Sequence, residues 1–311
     1  MEYTARYHQL QDDFVNFFGN RGYALEPSVP LNSKIDPTVF VIGSCTNVFK
    51  QFLLGKPISD AGHMLVQPSV NSKYLPDITD PGIGRYASSY TNIGLLKDLW
   101  GLQDIVKDQY DFFINIVKFD PDKLSIKVNR NDADFLKVLA PYKNVQIVDD
   151  ACRNKFGQCG DFLLTGRNIR FYYANNNICV LSIYVNNGTD LAIESSSTLQ
   201  VLLMEKYALK NTMSVSPLND FYVANTPIEL KYYDCISCVS EMLHSNIMPN
   251  SSHMDGRTLK KYIKAVDKIH GEMNAKISDY SALIDFYIQA MYPDYGSDIK
   301  PLVQEAFAKC R

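Results

Sequence analysis

The run Ile178–Val185, ICVLSIYV, does more than any other segment to limit what this chain can fold into. A strand with one wet face alternates apolar and polar residues. This run is nearly continuous in apolar side chains and so belongs near the centre of a sheet covered on both faces. Further strand segments accompany it: TVFVI at 38–42, LSIKVN at 124–129, VQIVDD at 145–150 and NIRFYYA at 168–174. Each is rich in β-branched or aromatic residues, which predicts a large, mostly antiparallel sheet.

Helical signals are interleaved. Residues 1–22 place Tyr7, Leu10, Phe14, Phe17 and Phe18 at helical spacing before a stop at Gly22. NVFKQFLLG (47–55) reads as a short helix, NDADFLKVLA as one capped by Asn131 or Asp132, and 195–209 as a serine-capped helix burying Leu199, Leu202, Leu203 and Tyr207. Past Pro217 and Pro227 the strand signals vanish, and 228–311 reads as three or four helices. The predicted class is α+β, an antiparallel sheet flanked by helices over 1–225, followed by a helical domain over 226–311.

Composition narrows the functional classes. The 311 residues are 46% hydrophobic and 21% charged, enough to bury a large core. A net charge of −3 gives no global attraction to nucleic acid, so any RNA contact must come from a local patch. No stretch approaches ~18 consecutive apolar residues and the polar, acidic N-terminus does not suit a signal peptide, so the expected location is the cytoplasm, with no membrane partner. Seven scattered cysteines fit reduced thiols better than a disulfide framework. Cys235 and Cys238 form a lone C-x-x-C inside a helical segment and are expected in the core. The five histidines form no ligand cluster, so no metal site is expected.

One long segment carries a family likeness. Phe14–Pro57 runs Phe-x-x-Phe-Phe, then Pro27-Ser28 before Pro30-Leu31, Asp36-Pro37-Thr38, Phe49-Lys50 and Leu54-Gly55. It resembles the opening of the alanyl-tRNA synthetase catalytic domain, a class II aminoacyl-tRNA synthetase fold. The likeness continues at 65–94, which is similar to the family's strand–loop–strand motif. Gln67 matches a glutamine of that motif, Asn71 stands where the family has an arginine on the α-phosphate of ATP, Arg85 and Gly94 match, and Thr91 replaces a glutamate. Gly157-Gln158-Cys159-Gly160 looks like the Gly-Pro-Cys-Gly loop beside the amino-acid pocket, and Val180 and Ser182 fall on the strand that lines it. Glu194 matches the carboxylate that meets the substrate's amino group, and Val201 stands where a second arginine grips ATP.

The resemblance implies ATP and magnesium as cofactors, a small amino acid or aminoacyl group bound by Gln67, Gly157, Cys159, Gly160, Val180, Ser182 and Glu194, and tRNA as partner. Asn71, Thr91 and Val201 are the degenerate ATP positions. Losing two preorganised stabilisers at about 3–4 kcal/mol each slows adenylation by about 10⁴- to 10⁶-fold. Lys73 and Arg85 are the candidate catalytic cations, with Arg153 and Arg167 as further substitutes. Residues 230–271 resemble the family's helical tRNA-binding region. Arg257, Lys261, Lys264 and Lys268 recur on one helical face with Lys260 at its edge, enough for phosphate contacts along an acceptor stem. Asn250 or Ser252 takes the place of a base-reading asparagine.

The editing and C-terminal oligomerisation domains of the family are expected to be absent, which describes a truncated, diverged paralogue, and a homodimer is left open. Three readings follow: a repurposed aminoacyl ligase or transferase with impaired adenylation, a non-catalytic tRNA or amino-acid binding regulator, and an active alanine–tRNA ligase that uses substitute cations.

Overall fold

The structure is a computed structural model that describes residues 1–71, 78, 80, 87–149, 153–273 and 275–310. Helix α1 (Glu2–Gly19) buries Tyr7, Leu10, Phe14 and Phe18, the stripe expected from the sequence. Phe14, Phe17 and Phe18 meet Phe112 with ring centroids 5.7, 5.6 and 5.3 Å away, which fixes α1 against the helical segment Phe112–Val117. The chain turns at Gly22, whose φ of 87° suits glycine alone.

Among the described residues nine strands form one sheet: β1 (Ala24–Glu26), β2 (His63–Val70), β3 (Ser89–Lys97), β4 (Leu124–Asn129), β5 (Val145–Val148), β6 (Arg153–Cys159), β7 (Phe162–Tyr173), β8 (Asn176–Asn186) and β9 (Thr189–Thr198). Their order is β1-β2-β3-β9-β8-β7-β4-β5, with β6 paired to β7. Among the described residues only β1/β2 and β4/β5 run parallel. The apolar run 178–185 lies in β8, between β7 and β9, in the interior position its composition requires.

Two sequence expectations are corrected. Residues 38–42 form no strand, because their backbone is tied locally and to neighbouring loops: Val39 N–H donates to Asp36 O, and Ile42 N–H to Leu31 O at 2.8 Å. Ser195–Thr198 is not a helical start. These residues pair with β3 on one side and β8 on the other, and two neighbouring ladders outweigh the capping preference of serine. The helix that follows, α5 (Leu199–Lys206), begins four residues later than expected.

The remaining helices are α2 (Cys45–Leu53), α3 (Leu102–Asp111), α4 (Ala133–Leu139), α6 (Pro227–His244), α7 (Met254–His270), α8 (Tyr280–Met291) and α9 (Lys300–Ala308). Helix α6 opens with a capping box between Thr226 and Glu229 and with Pro227 at its first turn, which explains why the helical region starts where the strand signals stop. Cys235 and Cys238 are fully buried within it, as core residues. One apolar cluster runs from α1 through the sheet into α6–α9, and a smaller one, including Phe49, Leu65, Cys159 and Tyr184, lies beneath α2 on the opposite face. Asp234 ties α6 to the sheet by accepting from the Ser88 backbone N–H at 2.7 Å and its hydroxyl at 2.9 Å. Among the described residues no helix is long and apolar enough to cross a membrane.

Candidate ligand cleft and basic helix

Side chains alternate along β-strands, so cross-strand register decides which residues share a face. Gln67 pairs with Asn92 and Asn92 with Thr198; Gly94 pairs with Ser196 and Ser196 with Val180; Glu194 pairs with Ser182. These residues lie on the face that carries α2. A cleft of about 340 Å³ opens there, lined by Ser44, Tyr90, Asn92, Asn177, Val180, Ser196, Thr198 and Val201 among others. Beside it a hollow of about 160 Å³ shares Tyr90, Thr198 and Val201 and adds Asn71 and Gln200. Asn71 and Val201 thus line one hollow. Among the described residues lining the two hollows there is no charged side chain.

Thr91 is on the other face. Its hydroxyl meets Tyr7 of α1, and its backbone N–H donates to Gln200 Oε1 at 3.0 Å. The cleft-facing neighbours are Tyr90 and Asn92, because a one-residue step along a strand reverses the side chain. Asn92 was missed in the sequence and organises the cleft floor. Its Oδ1 accepts from the Cys45 N–H at 2.7 Å, satisfying an orphan donor at the start of α2, and its Nδ2 donates to Ser196 Oγ at 3.1 Å and Ser197 O at 2.7 Å. Gly94 is equally constrained, since a Cβ there would stand 2.7 Å from Cys45 Cβ. Strand alternation could have separated Asn92 from Thr91 once the strand was recognised.

Several predicted binding residues are held by the protein itself. Gln67 is fully buried, accepting from Val29 N–H at 2.9 Å and donating to Val29 O at 2.8 Å, so it pins the 27–31 segment. Glu194 is 2% exposed, and its two carboxylate oxygens accept from the Thr46 hydroxyl at 3.0 and 2.9 Å while the Tyr184 hydroxyl donates to one of them. Burial pushes its pKa up to about 7, against the opposing pull of the two hydroxyls. Ser182, buried, is its register partner on β8. Gly157 and Gly160 adopt φ of 76° and 54° in the β6–β7 hairpin, where only Gly160 comes close to a neighbour, and buried Cys159 packs against α2. None of these three lines the cleft. Burial raises the Cys159 thiol's pKa, which suits a packed residue rather than a nucleophile.

The Asp36-Pro-Thr and Phe49-Lys50 motifs meet at one buried ion pair. Lys50 Nζ lies 2.8 Å from Asp36 Oδ2, with the two side chains 3% and 1% exposed. Asn47 Nδ2 donates to the same carboxylate at 2.7 Å, and Thr38 donates through its N–H at 3.0 Å and its hydroxyl at 2.6 Å. Burial pushes the Asp36 pKa up, but these donors outweigh it and hold it below the usual carboxylate range. The pair joins α2 to the segment that flanks the cleft.

Of the proposed substitute cations, Lys73, Arg85 and the side chain of Arg153 lie outside the described residues. Arg167 is already engaged. Its guanidinium clasps Asp134 with two 2.6 Å bonds and reaches Asp190 at 2.6 Å, a bidentate geometry that leaves no fork for phosphate. The described lining therefore offers a triphosphate no counter-charge. Among the described residues no group of three or more His, Cys, Asp or Glu is placed to hold a metal ion.

The basic helix forms as expected. Arg257, Lys261, Lys264 and Lys268 are exposed on α7, Lys260 is half-buried at the edge of the stripe, and Asp267 is exposed beside it. Asn250 is not free to read a base: its Oδ1 accepts from the N–H groups of Ser252 and His253 at 3.0 and 2.7 Å, fixing the entry to α7, and its Nδ2 donates to Met248 O at 3.1 Å. Gly256 allows this close approach, since a Cβ there would fall 2.0 Å from Asn250 Nδ2. Ser252 is exposed and lines a hollow of about 430 Å³ with Lys34, Phe40, His253, Met254, Asp255 and Arg257.

A nine-stranded, mostly antiparallel sheet, the antiparallel pair of β2 and β3 within it, and a helix covering the cleft face make, among the described residues, a diverged core like that of class II aminoacyl-tRNA synthetases. Its sequence relatives include alanine–tRNA ligases. That of Cytophaga hutchinsonii is 25% identical over 135 residues, 40% of this chain and 15% of that protein, and that of Listeria welshimeri is 28% identical over 139 residues, 42% and 15% respectively. The chain thus matches about 15% of the length of these curated relatives. No family model matches it. Among solved structures, pyrrolysyl-tRNA synthetase from Desulfitobacterium hafniense superposes with a TM-score of 0.41 and 6% identity over 67% of this chain and 72% of that one.

Proposed function

We propose that this chain is a repurposed aminoacyl ligase or transferase that handles a small amino acid or an aminoacyl group on RNA, with ATP-dependent adenylation impaired. Residues 1–225 supply the pocket, and 226–311 supply the contact with the tRNA acceptor stem. The observation that carries this reading is the pairing of an uncharged cleft with a four-cation face on α7. An aminoacyl ester on RNA already holds the activation that adenylation would supply. The acceptor's nucleophile bonds to the acyl carbon, the ester C–O bond breaks, and the nucleophile's proton ends on the departing RNA hydroxyl.

An ATP–pyrophosphate exchange assay with alanine tests the loss of adenylation. We expect exchange at background level; brisk exchange would instead support a working alanine–tRNA ligase whose cations come from the Lys73–Arg85 segment. For the RNA side, reversing two charges with Lys261→Glu and Lys264→Glu should weaken acceptor-stem binding and reduce the slope of log K against log salt by about 2. An unchanged slope would remove α7 from the interface. The second reading, a binding regulator, is favoured by the lack of a carboxylate, histidine or lysine among the described cleft residues. Mass spectrometry of reactions containing charged tRNA and amino acids separates the two, since a covalent product excludes a pure binder.

A further inference from the structure

The strand order ends at β1 on one side and at β5 on the other, and the two margins are built differently. β1 has three residues and is followed at once by Pro27, which blunts it as a pairing edge. β6, paired among the described residues to β7 alone, is broken by a register shift between Lys155 and Gly157. β5 carries none of these devices. Its residues Val145, Gln146, Ile147 and Val148 include no proline and no charge, and among the described residues it pairs with β4 alone.

The outer side of β5 is open at alternate residues. Ile126 N–H donates to Asn144 O and Arg130 N–H to Val148 O, so residues 144, 146 and 148 turn their polar backbone groups to β4. Val145 and Ile147 therefore turn theirs outward. Their side chains share a face with those of their register partners Ile126 and Val128, both fully buried. The apolar layer of the core thus runs out to the margin, where Val145 is half-buried and Ile147 is 52% exposed. A bare β-branched edge of this kind is a template for a further strand.

The flanking charges select the strand that fits. Exposed Lys143 precedes β5 and exposed Asp149 follows it, where it meets Arg130 at 2.6 Å with both side chains in solvent. Two copies of the strand set antiparallel bring the positive end of each against the negative end of the other. We propose that this protein self-associates through β5, a second copy adding its own β5 antiparallel about a two-fold axis at Gln146. In that register Val145 exchanges both backbone hydrogen bonds with Ile147 of the second copy, and the apolar rows Ile126–Val145 and Val128–Ile147 continue across the axis. Lys143 sits just before a left-handed residue, Asn144 at φ 58°, so its side chain rather than its backbone reaches Asp149 of the second copy. Moving the axis to Ile147 would instead set Val145 against Asp149.

Sedimentation velocity across the micromolar range tests this on the full chain. The wild type should pass from monomer to dimer as its concentration rises. Ile147→Pro removes an outward N–H and no bond to β4, so it should abolish the dimer with little change in the circular dichroism spectrum. Lys143→Glu and Asp149→Lys should each weaken self-association roughly 5- to 30-fold, since like charges then meet at both ends of the paired strands. Mixed together, these two variants should form a heterodimer near wild-type affinity, because each contact is again between opposite charges. A chain that stays monomeric throughout, a dimer that the charge variants leave intact, or a mixture no tighter than either variant alone would overturn the proposal. So would a folded Ile147→Pro chain that still dimerises; if that variant unfolds, the charge variants, which leave the strand intact, decide the matter.

Discussion

Replacing Lys50 with methionine is expected to lower the free energy of unfolding by about 3–5 kcal/mol, the usual cost of leaving one member of a buried ion pair without its partner. Asp36 would keep its Thr38 and Asn47 donors but would carry a buried negative charge with no cation beside it. Because the pair joins α2 to the 36–38 turn, the loss should also loosen the flank of the cleft. Denaturant unfolding monitored by circular dichroism reads the stability, and a midpoint shift of roughly 10 °C is the thermal counterpart. Coupling Lys50→Met to Asp36→Asn should recover part of the loss by removing the stranded charge. If Lys50→Met alone unfolds at the wild-type denaturant concentration, the pair does not hold the flank.

Stability is expected to increase as the pH falls from about 7 to 4.5. Two carboxyl groups drive this, Glu194 between Thr46 and Tyr184, and Glu241, which accepts from the Tyr287 hydroxyl at 2.9 Å and the Tyr292 hydroxyl at 2.5 Å. Burial raises each pKa from 4.5 to about 7. Between those values the folded state binds more protons than the unfolded chain. Their contribution is thus fully present below pH 4.5 and lost as the pH rises through 7. Each group is worth about 3 kcal/mol across that window. Asp36 acts in the opposite sense. Its folded pKa is depressed, so its contribution is present above the unfolded value of 3.8 and lost as the pH falls through the folded one. Maximum stability from these groups should therefore lie near pH 4.5. Urea titrations across pH 4–8 check this, and Glu194→Gln should remove about half of the slope between 4.5 and 7. A wild-type curve that rises from pH 5 to 7 would contradict the burial of both carboxyls.

Much of the architecture was readable along the chain. The apolar run at 178–185 implied an interior strand and occupies one, in β8. The spacing of Arg257, Lys261, Lys264 and Lys268 implied an exposed basic face, and α7 presents it. The segment at 38–42 misled because β-branched residues show where side chains pack but not where backbone N–H groups find partners. Ser195–Thr198 misled for the converse reason: serine favours helix caps, but ladders on both sides held these residues in β9.

The candidate site was less legible than the fold. Motif matching identified Gln67, Glu194 and Asn250 as ligand contacts, and each proved to have its polar atoms occupied by the protein: Gln67 by Val29, Glu194 by Thr46 and Tyr184, Asn250 by the first turn of α7. Residue type shows what a side chain can bind, whereas occupancy depends on groups distant in sequence, here up to 148 residues away.

The sequence by itself therefore determined the kind and order of most elements, because periodicity and composition are local properties of the chain, while its motifs carried the likeness to alanine–tRNA ligases. Only the tertiary structure decided which face of β3 meets the cleft and which polar groups are held by the protein itself. Those outcomes depend on strand register and on the packing of α2 and α7, and a one-residue change of register reverses every side chain along a strand.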